Sequence, residues 1–297
     1  MARCDALGVA PYSDTATGLF HGWLGPAHRA TVQQVGAWME AAGMQVRIDP
    51  LGTLVGHYAG TQPNAPALLI GSHQDSVRDA GRYDCPLGIL LGIECVAALH
   101  AQERRLPFAI DVVAFGDEEG SRFPASLFCS RAVTGTLDPT TLTVTDAAGI
   151  TVASALAEWN LDIAHVQHAA RAPGSVLAYL ETHIEHGPVP EAEALPVGSD
   201  IAIAPLQTLT ASPGAPALIT RMEHAVAAQG IVPRQLVSGA GHDAMVMAAL
   251  CPTAMLCVRC AGGISHHPDE HVDPADAELA LAVMRHFIEH LGDPLVT

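Results

Sequence analysis

The chain has 297 residues, 49% of them hydrophobic and 15% charged, which is enough apolar sequence for a sizeable core and argues against global disorder. Its formal net charge of −17 disfavours nucleic acid and anionic membrane surfaces as partners, because both recruit basic patches. No apolar run approaches the roughly 18 residues of a membrane span and no secretory signal is visible, so we expect a cytoplasmic protein whose seven cysteines are reduced.

Helical and strand patterns alternate along the chain after an arm formed by residues 1–26. Short apolar runs bounded by turn residues predict strands at 46–49, 53–58, 67–70, 108–115, 176–180 and 254–258. Apolar stripes of helical period predict helices at 26–44, 87–98, 126–134, 151–159, 216–229 and 276–291. This alternation predicts an α/β fold, a three-layer arrangement in which helices flank a mostly parallel central sheet.

Potential metal ligands follow four of the predicted strands, at the edge where open α/β sheets place their chemistry. They are His73 with Asp75, Glu118 with Glu119, His183, and His266, and Asp84 stands at the start of a predicted helix. Each histidine taken alone is more often an ordinary hydrogen-bonded loop residue, and a Glu-Glu pair is usually solvated. Five ligand types in this order favour a metal site, because nitrogen and carboxylate donors suit first-row divalent cations.

Six motifs in this order resemble the hydantoinase/carbamoylase branch of the M20 metallopeptidase family, which includes N-carbamoyl-L-amino acid hydrolases and allantoate amidohydrolases. They are His73-x-Asp75, Tyr83-Asp84, Glu118-Glu119, Thr182-His183-Ile184-Glu185-x-Gly187-Pro188, Ser238-Gly239-Ala240-Gly241-His242-Asp243-Ala244 and Gly263-Ile264-Ser265-His266. The resemblance extends from the predicted helix at 26–44 to the last helix. It implies a catalytic domain of the M20/M28 type.

The resemblance also implies a ligand set for two divalent ions, Zn or Mn, with Co or Ni also compatible. One ion would be held by His73 and His183 and the other by Glu119 and His266. Asp84 would bridge them, as a carboxylate does between ions roughly 3.5–4 Å apart.

The same resemblance assigns roles to residues around the ions. Glu118 would be the general base, and Asp75 would hydrogen-bond the far nitrogen of His73 and so fix its tautomer. His186 stands where the family usually has Gln. Weaker candidates for contacts with the substrate are His186, His242, Arg122 and Arg259.

Two features depart from the family pattern. Cys85 follows Asp84 where the family usually has Gly, which puts the shape of that turn in doubt. A short segment, residues 189–215, stands where family members carry an inserted domain that covers the site and forms the dimer. We therefore expect a single domain over residues 1–297 with no second domain, and a monomer or a dimer of another kind.

These features together predict a binuclear metal-dependent amidohydrolase. Its substrate would be a small molecule with a linear carbamoyl or amide C–N bond, such as an N-carbamoyl amino acid or a ureido acid. Two alternatives remain at this point: a metallo-aminopeptidase or deacylase, and a metal-binding protein whose catalysis is impaired. Loss of the covering domain leaves three outcomes open: a substrate pocket rebuilt from local groups, action on a different amide, or loss of catalysis with the metal site retained. Retention of Glu118 beside a complete ligand set favours an enzyme.

Overall fold

The computed structural model of the chain describes residues 1–15, 18–84, 86–185 and 210–293. Two residues singled out from the sequence, Cys85 and His186, lie outside the described residues, as does most of the segment 189–215. The expectation of a single domain that lacks the family's inserted domain therefore stays a prediction, and so does the expected oligomeric state.

Six strands form the centre of the described structure. They are β1 (Gln45–Ile48), β2 (Leu54–Tyr58), β3 (Ala67–His73), β4 (Ala109–Phe115), β5 (Val176–Ile184) and β6 (Thr253–Val258). These strands form one sheet in the order β1-β2-β4-β3-β5-β6. Strands β4, β3, β5 and β6 pair in parallel, whereas β1 and β2 are antiparallel additions at one edge. The predicted α/β class with a mostly parallel sheet is confirmed.

Helices pack around this sheet. In the described part of the chain the α-helices are α1 (Ala2–Leu7), α2 (Pro26–Ala41), α3 (Pro86–Ala101), α4 (Phe128–Thr134), α5 (Val152–Glu158), α6 (Pro216–Ala227), α7 (Asp243–Met247) and α8 (Pro274–Glu289). Short 3-10 turns lie at Pro139–Thr143, Ile163–Ala169 and Ala261–Gly263. Two of these helices, α1 and α7, were not predicted, because runs of five or six residues are too short to show a helical period.

The two central strands β3 and β4 are buried along their whole length because both of their faces are covered. All seven residues of β3 and all seven of β4 are buried, as expected for parallel strands with helices on both sides. Helix α3 contacts β3, β4, β5 and also α8. Its apolar residues surround the helix on all sides, which is typical of a helix enclosed in a core.

The start of α3 lies very close to β5, and glycine makes this approach possible. A Cβ atom added at Gly88 would lie 1.9 Å from the carbonyl oxygen of Thr182. Any side chain at this position would therefore push the helix away from the strand. The contact brings the N-terminal end of α3, which follows Asp84, next to the strand that carries His183.

Among the described residues, no helix is both long and apolar enough to span a membrane.

Helix α2 buries a histidine that carries no charge in the folded protein. His28 is 0% exposed and its ring packs on that of Trp159, with 5.1 Å between the ring centroids. The backbone N–H of Leu24 donates to His28 Nδ1 at 3.3 Å, so the ring proton is on Nε2, which has no hydrogen-bond partner among the described residues. Burial lowers the pKa of His28 from 6.5 to about 3.

We expect the free energy of unfolding to fall as the pH drops below 6.5, because the unfolded chain takes up a proton on His28 that the folded chain excludes. The linkage amounts to about 2 kcal/mol between pH 7 and pH 5. In His28→Asn, which keeps an acceptor for Leu24, urea unfolding at both pH values should show a correspondingly smaller pH dependence. The exposed His224 provides the control, since His224→Asn should behave like the wild type. An unchanged pH dependence in His28→Asn would contradict this account.

Candidate metal centre

The carboxyl ends of the parallel strands bring the predicted ligands to one edge of the sheet. His73 is the last residue of β3, and its register partner Phe115 ends β4 three residues before Glu118. Strand β5 continues to Ile184, four residues beyond the predicted end, so His183 lies inside the strand and pairs with Cys257 of β6. His266 follows β6 after the 3-10 turn at Ala261–Gly263.

Asp84 lies between two histidines from different elements. Its Oδ1 atom is 3.1 Å from Nε2 of His183, and its Oδ2 atom is 3.0 Å from Nε2 of His266. Nε2 of His73 is 3.3 Å from Nε2 of His183 and 3.8 Å from Oδ1 of Asp84. The structure therefore brings together the residues that the sequence predicted for a bridged pair of ions.

The two neighbouring glutamates take different places. Oε1 of Glu119 lies 3.3 Å from Nε2 of His266, whereas Oε2 of Glu118 lies 3.8 Å from Nε2 of His73. Three groups of side chains have ligand atoms that all lie within 4.8 Å of one another: His73–Asp84–His183, His73–Glu118–Glu119 and Asp84–Glu119–His266. This set of nitrogen and carboxylate donors fits a divalent first-row cation.

The backbone sets the tautomers of the two buried histidines. Nδ1 of His73 lies 3.1 Å from the backbone carbonyl of Asp75, and Nδ1 of His183 lies 3.0 Å from the carbonyl of Ile184. A carbonyl oxygen only accepts, so both Nδ1 atoms carry the proton and donate it. The Nε2 lone pairs of both rings are thereby directed toward Asp84, as metal ligation requires.

The carboxylate of Asp75 approaches the ring of His73 and also binds the turn that carries the two glutamates. Its Oδ1 atom is 3.5 Å from Nδ1 of His73, but its two oxygens accept the backbone N–H groups of Glu118 at 3.1 Å and Glu119 at 3.2 Å. Burial acts to raise the pKa of Asp75, yet the neighbouring His73 and the hydrogen bond from the N–H of Glu118 lower it below its ordinary value. Asp75 thus holds the turn that presents both glutamates.

The concentration of acids in this cavity shifts the pKa values of its members. Hydrogen bonds to Asp84 and Glu119 raise the pKa of His266 to about 10. Burial opposes ionisation of Asp84, but His183, His266 and His73 together lower its pKa. Burial is also the main reason why the pKa of Glu118 lies well above its usual range, and Glu119 adds to the rise. A buried carboxyl group whose pKa is raised is typical of a general acid or base.

Three further buried acids, Asp117, Glu181 and Asp243, surround the centre, and of these only Asp243 belongs to one of the sequence motifs. Asp117 precedes Glu118 with a left-handed φ of 61°, and its carboxyl oxygens have no hydrogen-bond partner among the described residues. Oε2 of Glu181 accepts the N–H of Ala244 at 2.7 Å, and burial raises the pKa of Glu181 to about 8. Burial raises that of Asp243 to about 7. The sequence offered one indication of such a buried acid, because Glu181 directly follows the apolar residues of β5.

The residues expected to contact the substrate lie in different places. His242 lines the ion cavity, of about 230 Å³, with its ring centroid 4.6 Å from that of His183. Arg122 is absent from the cavity wall: it pairs with Asp146 at 3.1 Å and donates to the Trp23 carbonyl. Arg259 lines a larger adjoining groove and pairs with Asp276.

Comparison with known proteins shows the family to which this chain belongs. The sequence pattern of peptidase family M20/M25/M40 matches residues 69–290, and the chain therefore belongs to this family. The chain is 45% identical to the N-carbamoyl-L-amino acid amidohydrolase of Geobacillus stearothermophilus over 172 residues. These residues are 58% of this chain and 42% of that protein. It is 38% identical to allantoate deiminase 1 of Glycine max over 202 residues, and this match covers 67% of this chain and 41% of that protein.

The predicted resemblance to the carbamoylase and allantoate amidohydrolase branch is thus confirmed. The matched regions span about two fifths of the length of these two relatives. In fold, the chain is similar to the crystal structure of AtUAH in complex with (S)-hydroxyglycine. The TM-score is 0.85 at 20% identity, over 98% of this chain and 96% of that one. Family membership and the donor clusters support the use of divalent metal by this chain.

We expect divalent metal to stabilise the folded chain, because the ligand cluster exists only after folding. At a free concentration 100 times the Kd, the gain is about 2.7 kcal/mol, which corresponds to a rise in Tm of roughly 5 °C. Calorimetry of chelator-treated protein, before and after addition of Zn²⁺ or Mn²⁺, measures it. Asp84→Asn should lose most of the gain. Asp269→Asn, whose side chain is 79% exposed on the loop that follows His266, should keep it; equal gains in both variants would contradict the site.

Proposed function

We propose that this chain is a two-ion, metal-dependent amidohydrolase that cleaves a linear carbamoyl or amide C–N bond in a small molecule such as an N-carbamoyl amino acid or a ureido acid. The observation that carries the proposal is the placement of Asp84, whose two oxygens lie 3.1 and 3.0 Å from different histidines. A carboxylate in this position can give one oxygen to each of two ions. The activities after which the relatives are named, carbamoyl amino acid hydrolysis and allantoate deimination, agree with this substrate class.

Each ion would have its own set of protein ligands. His73 and His183 would hold one ion with Oδ1 of Asp84, and Glu119 and His266 would hold the other with Oδ2. Zn²⁺ or Mn²⁺ suits these donors, and Co²⁺ or Ni²⁺ is also compatible. When bound, such a pair of ions polarises a carbonyl group and lowers the pKa of water.

Glu118 is the residue that we assign to proton transfer. Its side chain is 9% exposed, lies beside His73, and belongs to a turn whose backbone is held by Asp75. Glu118 takes a proton from the attacking water as the water oxygen adds to the carbonyl carbon. It gives this proton to the nitrogen as the C–N bond breaks, so that the nitrogen leaves as a neutral amine. Glu119, its neighbour, is left to hold an ion.

On the substrate side, His242 is the predicted contact residue whose position supports the assignment. It lines the cavity, and its Nε2 atom lies 2.7 Å from Oγ of Ser238, which fixes the orientation of the ring. Arg122 is engaged with Asp146 and the Trp23 backbone, which supports a structural role for that residue instead.

Glu118→Gln should lower kcat by about 10²–10⁴-fold, because the amide can neither accept nor return the proton. The substitution preserves size, so the metal content measured by elemental analysis should remain that of the wild type. Glu119→Gln provides the comparison, since it should lose metal together with activity. Wild-type turnover by Glu118→Gln would remove this residue from the mechanism, and loss of metal in that variant would make it a ligand instead.

A substrate panel tests the proposed reaction class. With Mn²⁺ or Zn²⁺ present, we expect N-carbamoyl-L-amino acids or allantoate to be hydrolysed faster than dipeptides and N-acyl amino acids. The rate is measured from the ammonia or the free amino acid that is released. Faster hydrolysis of dipeptides or N-acyl amino acids would identify a metallo-aminopeptidase or deacylase. A third result would identify a metal-binding protein without catalysis. In this case the chain binds metal, but it hydrolyses each of these compounds no faster than Glu118→Gln does.

A further inference from the structure

The loop that contains Asp84 and the loop that contains His266 are joined by one buried side chain, that of Glu270. Its Oε1 atom accepts two hydrogen bonds from consecutive backbone N–H groups, from Tyr83 at 2.8 Å and from Asp84 at 2.9 Å. Glu270 is 6% exposed and lies four residues after His266. The contact therefore connects the segment that supplies Asp84 with the segment that supplies His266, the histidine next to Oδ2 of Asp84.

Two further contacts show that the two loops pack together at this point. A Cβ atom added at Gly81 would lie 2.2 Å from Cβ of Glu270, so this approach depends on the missing side chain of glycine. The rings of Tyr83 and His271 meet edge to face, with 6.4 Å between their centroids. Glu270 is thus built into the junction between the loops.

The two hydrogen bonds act on the direction of the Asp84 side chain. Bonds from the N–H groups of Tyr83 and Asp84 to one oxygen fix the peptide unit between these residues, and hydrogen bonds to a carboxylate are about twice as strong as neutral ones. With its backbone held, Asp84 can direct one oxygen to His183 and the other to His266. Glu270 itself contacts the backbone of Asp84, and it belongs to none of the three donor groups that could hold an ion.

We propose that Glu270 is the positioning residue for the bridging carboxylate: it holds Asp84 in the orientation that serves two ions, and it ties this residue to the loop of His266. This inference rests on the proposed two-ion site. Partners behind the ligands of a metal typically contribute 10–100-fold to its affinity. Loss of Glu270 should act most on the ion shared by Asp84, Glu119 and His266, because both connected loops supply its ligands.

Equilibrium dialysis of the full chain against Zn²⁺, with elemental analysis of the bound metal, tests the proposal without any substrate. We expect Glu270→Ala to lose about 10–100-fold in affinity for one of two ions. Glu270→Gln should recover most of this loss, because its amide oxygen can accept the same two N–H groups. Asp269→Ala is the matched control, since it removes a neighbouring, exposed acid and should bind Zn²⁺ as the wild type does.

Other results would overturn the proposal. Wild-type affinity for both ions in Glu270→Ala would exclude the positioning role while leaving the two-ion site intact. Equal losses in Glu270→Ala and Asp269→Ala would assign the effect to the loop as a whole. Failure of the wild type itself to bind two ions would instead refute the proposed function. If Glu270→Ala does not fold, Glu270→Asp decides, because its shorter side chain withdraws the carboxylate from the two N–H groups and should show the same selective loss.

Discussion

The mutual repulsion of carboxylates in a buried space is the constraint on which this structure depends. Glu119 lies within a few ångströms of both Asp84 and Glu118, and Asp75 and Asp117 lie beside Glu118. Isolated charges of this kind are costly to bury unless opposite charge or hydrogen bonds compensate them. The chain brings histidines and backbone N–H groups to these acids, and divalent cations supply the remaining positive charge in a site of this composition.

The sheet determines where this compensation takes place. Parallel strands end at a common edge, so His73 of β3, the turn after β4 and His183 of β5 meet without long connections. Asp84 reaches the same place because Gly88 lets the first turn of α3 approach Thr182. The ligands on rigid strands are buried, whereas His266 comes from a loop and is 40% exposed. The Oδ2 side of Asp84 therefore depends more on loop contacts than the Oδ1 side does.

Sequence reasoning was most successful where a pattern has a direct structural cause. Apolar runs predicted the strands, and the order of His73, Asp84, Glu119, His183 and His266 predicted residues that the structure brings together. The end of β5 was predicted too early, because polar residues such as Glu181 and His183 interrupt the apolar run although they are buried. The contacts of Arg122 with Asp146 and with the backbone of Trp23 could not be predicted, since no local pattern records contacts between residues 24 and 99 positions apart.

The hydrogen bonds that hold the backbone beside the proposed ligands could not be predicted from the sequence either. They follow the same pattern at two places in the site. Asp75 accepts the N–H groups of Glu118 and Glu119, and Glu270 accepts those of Tyr83 and Asp84. In both cases one carboxylate holds two consecutive peptide groups next to a ligand. Because these hydrogen bonds are made by the backbone, the side chain of the proposed ligand stays available for a cation. In the proposed two-ion site, the acidity of the chain would thus serve two purposes: some carboxylates would be donors for metal, and others would orient those donors.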